Sequence, residues 1–95
     1  MKHLKILVNG KVQGVFYRAA TKETADLLGL KGFVENQNDG SVYIEAEGNA
    51  DQLTRFIEWC KKGTERAIVQ KVDISEGELK GFKTFEVRKK SIFGF

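Results

Sequence analysis

Two short segments hold the residue types from which anion chemistry could be built. The first is Gly10-Lys11-Val12-Gln13-Gly14-Val15-Phe16-Tyr17-Arg18, which joins an alternating apolar stretch to a helical one. A loop that enters a helix, contains Gly14 and has no proline can aim successive main-chain N–H groups into one concavity, and such a concavity holds a tetrahedral anion. Arg18 closes it with a planar guanidinium fork that matches two phosphate oxygens and stays charged. Taken alone, an arginine at a helix start is more often paired with a surface carboxylate, here Glu23. The side chains of Phe16 and Tyr17 read as packing, with at most a role at the rim. The second segment is Gly32-Phe33-Val34-Glu35-Asn36-Gln37-Asn38-Asp39-Gly40-Ser41-Val42. The amide of Asn36 both accepts and donates, so it can hold a water in line with a phosphoryl group without titrating. An asparagine before a hairpin is usually a turn former, but Asn38 and Asp39 fit that part better.

Other chemistries find few residues. One histidine, His3, lies beside the start of the chain and reads as an exposed strand residue; with one cysteine in a helix, a His/Cys metal cluster has no ligands to draw on. No metal or other cofactor is expected. Cys60-Lys61-Lys62-Gly63-Thr64-Glu65-Arg66 matches the C-x5-R loop of cysteine phosphatases. That chemistry needs a thiolate stabilised by a helix N-terminus, whereas Cys60 ends a helix, whose C-terminal dipole opposes a thiolate. Lys31-Gly32-Phe33-Val34 is a fragment of an RNA-recognition signature, but the second glycine and the spaced aromatics are missing.

These segments need elements to hold them. Leu4, Ile6, Val8 and Val12 alternate with Lys5, Asn9 and Lys11 along a first strand, and Gly10 inside that pattern points to a close backbone approach. Ala20, Thr24, Leu27 and Leu28 then recur at helical spacing over 19–28, with Gly29 as the stop. A short strand over 31–35 follows. Asn38-Asp39-Gly40 turns it into a strand over 41–47, an Asp-Gly pair between strands being a strong hairpin signal. Asn49 or Asp51 caps a second helix over 49–60, with Leu53, Phe56, Ile57 and Cys60 on one stripe. Ala67 and Val69 share one parity and Val72 and Ile74 the other, so a single strand there requires a bulge near Gln70 or Lys71. Phe85 and Val87 mark a last strand. The order βαββαβ, with an extra final strand, predicts an α+β ferredoxin-like sandwich: a mixed sheet of four to five strands with two helices on one face. In that arrangement the first and second strands run the same way with the third between them. Arg18 and Asn36 then come to one sheet edge.

Composition bounds the rest. Ninety-five residues, 41% hydrophobic and 31% charged, predict one domain over 1–95 with a modest core. Ten glycines and no proline mean that turns are made by glycine and Asn/Asp chemistry and that each main-chain N–H past the terminus is a donor. The net charge of +3 permits anion binding without demanding it; Lys61-Lys62 and Arg88-Lys89-Lys90 are too short for a nucleic-acid arm. A single Cys60 excludes an internal disulfide, and with no apolar run of signal-peptide length a cytoplasmic location is expected. No apolar stretch approaches the roughly 18 residues needed to span a membrane.

The segments 10–18 and 32–42 resemble the two signature segments of the acylphosphatase family, and the similarity continues through Gly63 and Ala67-Ile68-Val69 to Phe85-Glu86-Val87. The resemblance implies a small ferredoxin-like enzyme that hydrolyses carboxyl–phosphate bonds without a cofactor. It implies that Arg18 is the phosphate-binding catalytic arginine, that Asn36 holds the attacking water, and that Val12, Gln13, Gly14, Val15, Phe16 and Tyr17 supply the main-chain cradle. An acyl phosphate leaves as a carboxylate of pKa about 4, so the lack of an acid to protonate it is no obstacle. The expected partner is a small acyl phosphate, with no nucleic acid and no membrane, and the expected state a monomer. A non-catalytic anion- or nucleic-acid-binding module of the same fold is the alternative. Two features depart from the family pattern. Thr64 stands where many relatives have proline, which bears on loop rigidity, and the apolar tail Ser91-Ile92-Phe93-Gly94-Phe95 extends past the matched region and is expected to pack back on the sheet.

Overall fold

The computed structural model describes residues 1–89, so the apolar tail lies outside the described residues. Seven elements follow one another: β1 (Lys2–Lys11), α1 (Tyr17–Leu28), β2 (Lys31–Asn36), β3 (Val42–Gly48), α2 (Ala50–Lys62), β4 (Ile68–Gly77) and β5 (Phe85–Arg88). The strands form one mixed sheet in the order β4-β1-β3-β2-β5, antiparallel except for the β2/β5 pair. β1 and β2 therefore flank β3 and point the same way, as the ferredoxin-like reading requires.

Alternation selects the inner face. Leu4, Ile6 and Val8 of β1, Val34 of β2 and Val42, Ile44 and Ala46 of β3 join Ala25 of α1 and Leu53, Phe56 and Cys60 of α2 in a single buried cluster. The two helices pack on each other and on this face. Asn49 caps α2 with a reciprocal pair of hydrogen bonds: its side chain accepts from the Gln52 N–H at 2.8 Å, and its own N–H donates to Gln52 Oε1 at 2.8 Å. Such a cap typically contributes about 1 kcal/mol. The parity change in β4 is resolved as expected by a shift of register. Asn9 faces Lys71 and Gly10 faces Val69, leaving Gln70 as the extra residue. Gly10, at φ +134°, is needed there because a side-chain carbon would lie 2.0 Å from the Ile68 carbonyl oxygen.

Two expectations fail. Helix α1 starts at Tyr17, two residues early, and its buried stripe is Tyr17, Thr21 and Ala25, whereas Leu27 is 82% exposed. Tyr17 sets this phase: its ring is buried, its hydroxyl donates to the Cys60 carbonyl at 2.7 Å, and Thr21 donates back to the Tyr17 carbonyl at 2.7 Å. Apolar periodicity pointed to the neighbouring stripe because two of the three buried residues, Thr21 and Ala25, carry little apolar weight.

His3 is the second failure, being 1% exposed rather than open to solvent. It lies directly opposite Glu47 in the β1/β3 ladder, with Nδ1 2.7 Å from Glu47 Oε2 and Nε2 2.9 Å from Glu45 Oε1. The segment between β4 and β5 crosses over this outer face. There the main-chain N–H groups of Lys80, Gly81 and Phe82 donate to the Glu47 carboxylate, and Lys80 Nζ sits 2.8 Å from Glu45 Oε1.

Burial by itself raises the pKa of both carboxyls, but it is outweighed. Hydrogen bonds from Lys80 and Tyr43 and the charges of Lys80 and His3 hold Glu45 below the ordinary value of 4.5. The Lys80 and Phe82 N–H groups and His3 do the same for Glu47. A carboxyl depressed in the folded state stabilises the fold above its unfolded pKa and loses that contribution as pH falls through the folded value. Resistance to urea is therefore expected to drop as the pH is taken below about 4.5. In Glu47→Gln this acid limb should flatten; urea midpoints measured from pH 7 to pH 3 check it, and an unchanged slope in the variant would refute it.

Candidate active site

The loop between β1 and α1 is shaped by two residues in the left-handed region. Gly14 has φ +71°, and Phe16, the cap of α1, has φ 60° and ψ 20°. Phe16 is the one non-glycine residue with positive φ among those described, and its side chain makes no cap hydrogen bond. A non-glycine residue in this conformation marks local strain, which tends to collect at functional loops. Nor does the Phe16 ring pack, as the sequence suggested: it is 78% exposed, because the left-handed turn that brings Tyr17 into the core sends Phe16 outward.

At the start of α1 the N–H groups of Tyr17, Arg18 and Ala19 have no acceptor within the helix. Among the described residues none of them donates to another main-chain carbonyl. Their dipoles add to a partial positive charge at this end.

A pocket of about 300 Å³ opens over this turn. Val12, Gly14, Phe16, Tyr17 and Arg18 line it from the loop and α1, Asn36 from the end of β2, and Ala19 and Val87 complete the wall. The topology thus brings Arg18 and Asn36 into one cavity although 18 positions separate them in the chain. Of the remaining cradle residues expected from sequence, Val15 is turned into the core, and Gln13 reaches away to the hairpin; neither lines the pocket.

Arg18 makes no ion pair with Glu23 among the described residues; its Nη1 donates to the Arg88 carbonyl at 3.1 Å. Arg88 is itself anchored, its guanidinium lying 3.8 Å from the centre of the Phe33 ring. Among the described residues the pocket lining includes no carboxylate, so none of them compensates the guanidinium charge there. Asn36 Oδ1 is buried and has no hydrogen-bond partner among the described residues. An orphaned buried acceptor costs about 1 to 3 kcal/mol, so its presence at a pocket wall calls for a ligand or water to satisfy it.

Neither Tyr17 nor Cys60 is suited to an acid, base or nucleophile role. Burial, the neighbouring Cys60 and the hydrogen bond to it push the Tyr17 phenol far up, so it stays protonated. Burial pushes the Cys60 thiol up to about 12. That thiol is 0% exposed in the core and does not line the pocket, so the cysteine-phosphatase reading fails on both reactivity and position. The Lys31-Gly32-Phe33-Val34 segment offers no open stacking face, since Phe33 is covered by Arg88 and the Phe82 ring.

Three ties around the pocket were not legible in sequence, because each joins distant segments and none has a local signature. Arg18 donates to Arg88, Gln13 donates to the β2–β3 hairpin, and Thr64 Oγ1 donates to the Val15 carbonyl at 3.0 Å. The last gives Thr64 a definite role: its hydroxyl fastens the loop after α2 to the cradle.

Comparison with known proteins identifies the family. A model of the acylphosphatase family matches residues 4–87. The chain is 49% identical over 88 residues to an acylphosphatase of Ligilactobacillus salivarius, covering 92% of this chain and 98% of the relative. It is 48% identical over 84 residues to one of Acaryochloris marina, covering 88% and 90%. The crystal structure of acylphosphatase from Bacillus subtilis superposes with a TM-score of 0.91 at 36% identity, over 93% of this chain and 99% of that one. Shared over nearly its whole length with these proteins in both sequence and fold, the chain belongs to the acylphosphatase family of hydrolases.

Proposed function

We propose that the protein hydrolyses the carboxyl–phosphate bond of small acyl phosphates by in-line attack of water on phosphorus. The observation that carries this reading is the pairing, in one pocket, of a guanidinium that meets no carboxylate with a buried amide oxygen that has no hydrogen-bond partner, both among the described residues. The phosphoryl oxygens dock on Arg18 and on the N–H groups of the Val12–Arg18 turn, and Asn36 Oδ1 accepts a hydrogen bond from the nucleophilic water. As the water oxygen bonds to phosphorus, the bond from phosphorus to the bridging oxygen breaks, and its electron pair leaves with the carboxylate. Both water protons end on the released phosphate as dihydrogen phosphate, so the charges balance. The leaving carboxylate needs no acid. Equatorial charge is met by fixed donors, a solution based on positioning and electrostatics. In this reading the chain is one catalytic domain that works as a monomer in the cytoplasm.

The test is phosphate release by the purified protein from an aromatic acyl phosphate and from a phosphomonoester, each with and without EDTA. Turnover of the acyl phosphate alone, unchanged by EDTA and competitively inhibited by inorganic phosphate, is expected. Failure to turn over either substrate would point to an anion-binding module, and loss on EDTA that added metal restores would overturn the metal-free mechanism.

A further inference from the structure

The β1/β3 ladder stops at Val8 and Val42, whereas β1 continues beside β4 as far as Lys11 and Ile68. The cradle loop is consequently tied by main chain to the β4 side of the sheet and not to the hairpin that carries Asn36. One side chain bridges the gap. Gln13 Nε2 lies 2.8 Å from the Gln37 carbonyl oxygen and 2.8 Å from the Ser41 carbonyl oxygen. These two carbonyls sit at the mouth of the hairpin, where the Gln37 N–H also donates to Ser41 O at 2.9 Å. An amide nitrogen has two protons, so both are used, one on each arm.

We propose that the Gln13 side chain is a positioning residue for the reaction: it sets the distance between the anion cradle and Asn36, and thereby the line of attack of the water. This rests on the reading of Arg18 and Asn36 given above. Only a donor with two protons at this reach can hold both carbonyls. A glutamate would face two carbonyl oxygens with an acceptor, and a methionine would fill the space without a bond. Misplacing a reacting group by about 1 Å can cost on the order of 100-fold in rate. The cradle N–H groups and Arg18 are untouched by such a change, so phosphate binding should persist.

The experiment compares Gln13→Met and Gln13→Glu with wild type in acyl-phosphate turnover, inorganic-phosphate inhibition and amide exchange. In Gln13→Met, kcat should fall about 10- to 100-fold with an inhibition constant for phosphate within about twofold of wild type. Introduced into Asn36→Ala, Gln13→Met should cause almost no further loss, because the residue it positions is gone. Equal kcat in Gln13→Met and wild type, or losses that multiply in the double variant, would overturn the proposal. Should wild type prove inactive on acyl phosphates, the functional reading falls separately. The tie itself is then judged by exchange of the Gln37 and Gly40 amides, which should speed up in Gln13→Met while β1 amides stay protected. Unchanged exchange would refute it. Gln13→Glu serves as the second variant if the methionine protein does not fold.

Discussion

Arg18→Ala is expected to lower kcat/KM by about 10³-fold or more, the range seen when an arginine that stabilises a transferring phosphoryl group is removed. The physical reason is the composition of the pocket. Among the described residues its lining supplies this one cation and no carboxylate, and Arg18 uses one donor on the Arg88 carbonyl, which fixes the head while leaving the rest of the guanidinium for ligand. The loss should appear in both kcat and KM, since the guanidinium meets the phosphoryl oxygens before and during transfer. Lysine should not restore it, because a point charge lacks the planar fork and cannot hold the Arg88 carbonyl and two phosphoryl oxygens in one geometry. Circular dichroism should show an intact fold, as Arg18 is only half-buried and outside the core cluster. Steady-state kinetics with an acyl phosphate decide the matter, and a rate near wild type would remove Arg18 from the mechanism.

Asn36→Ala should give a different signature. Here kcat is expected to fall about 10²- to 10³-fold, the usual cost of one lost preorganised polar group, with little change in inhibition by inorganic phosphate. Stability should not fall with it. Asn36 Oδ1 is buried and unpartnered among the described residues, so deleting it relieves a desolvation cost of about 1 to 3 kcal/mol. A lower kcat with an equal or higher unfolding midpoint is what a group kept for reaction and not for folding produces. Thermal melts and kinetics on the same preparation test both halves. A destabilised variant with normal turnover would make Asn36 a structural residue of the hairpin.

Much of the frame was legible because alternation and helical spacing are local. The register shift opposite Gln70, the stop at Gly29 and the cap at Asn49 each follow from a few adjacent residues and appear where expected. The convergence of Arg18 and Asn36 was legible too, since it depends only on the order of strands in the sheet. Where the reading failed, a distant segment had overridden the local pattern. His3, Glu45 and Glu47 sit at polar parity and look solvent-facing until the chain between β4 and β5 crosses over them. Leu27 has the right spacing for burial, yet Tyr17 claims the phase of α1 through a carbonyl 43 residues away.

The element order, the loop that can turn its N–H groups on an anion, and the two residues brought to one edge all follow from the order of residues along the chain. These are properties of short stretches and of chain direction. How those residues are held depends on contacts between distant segments: Arg18 by the Arg88 carbonyl, the cradle by Thr64, and the hairpin by Gln13. Each of these bonds ends on a main-chain carbonyl. Every residue carries that group, so no side-chain pattern along the chain can announce which one will be the partner.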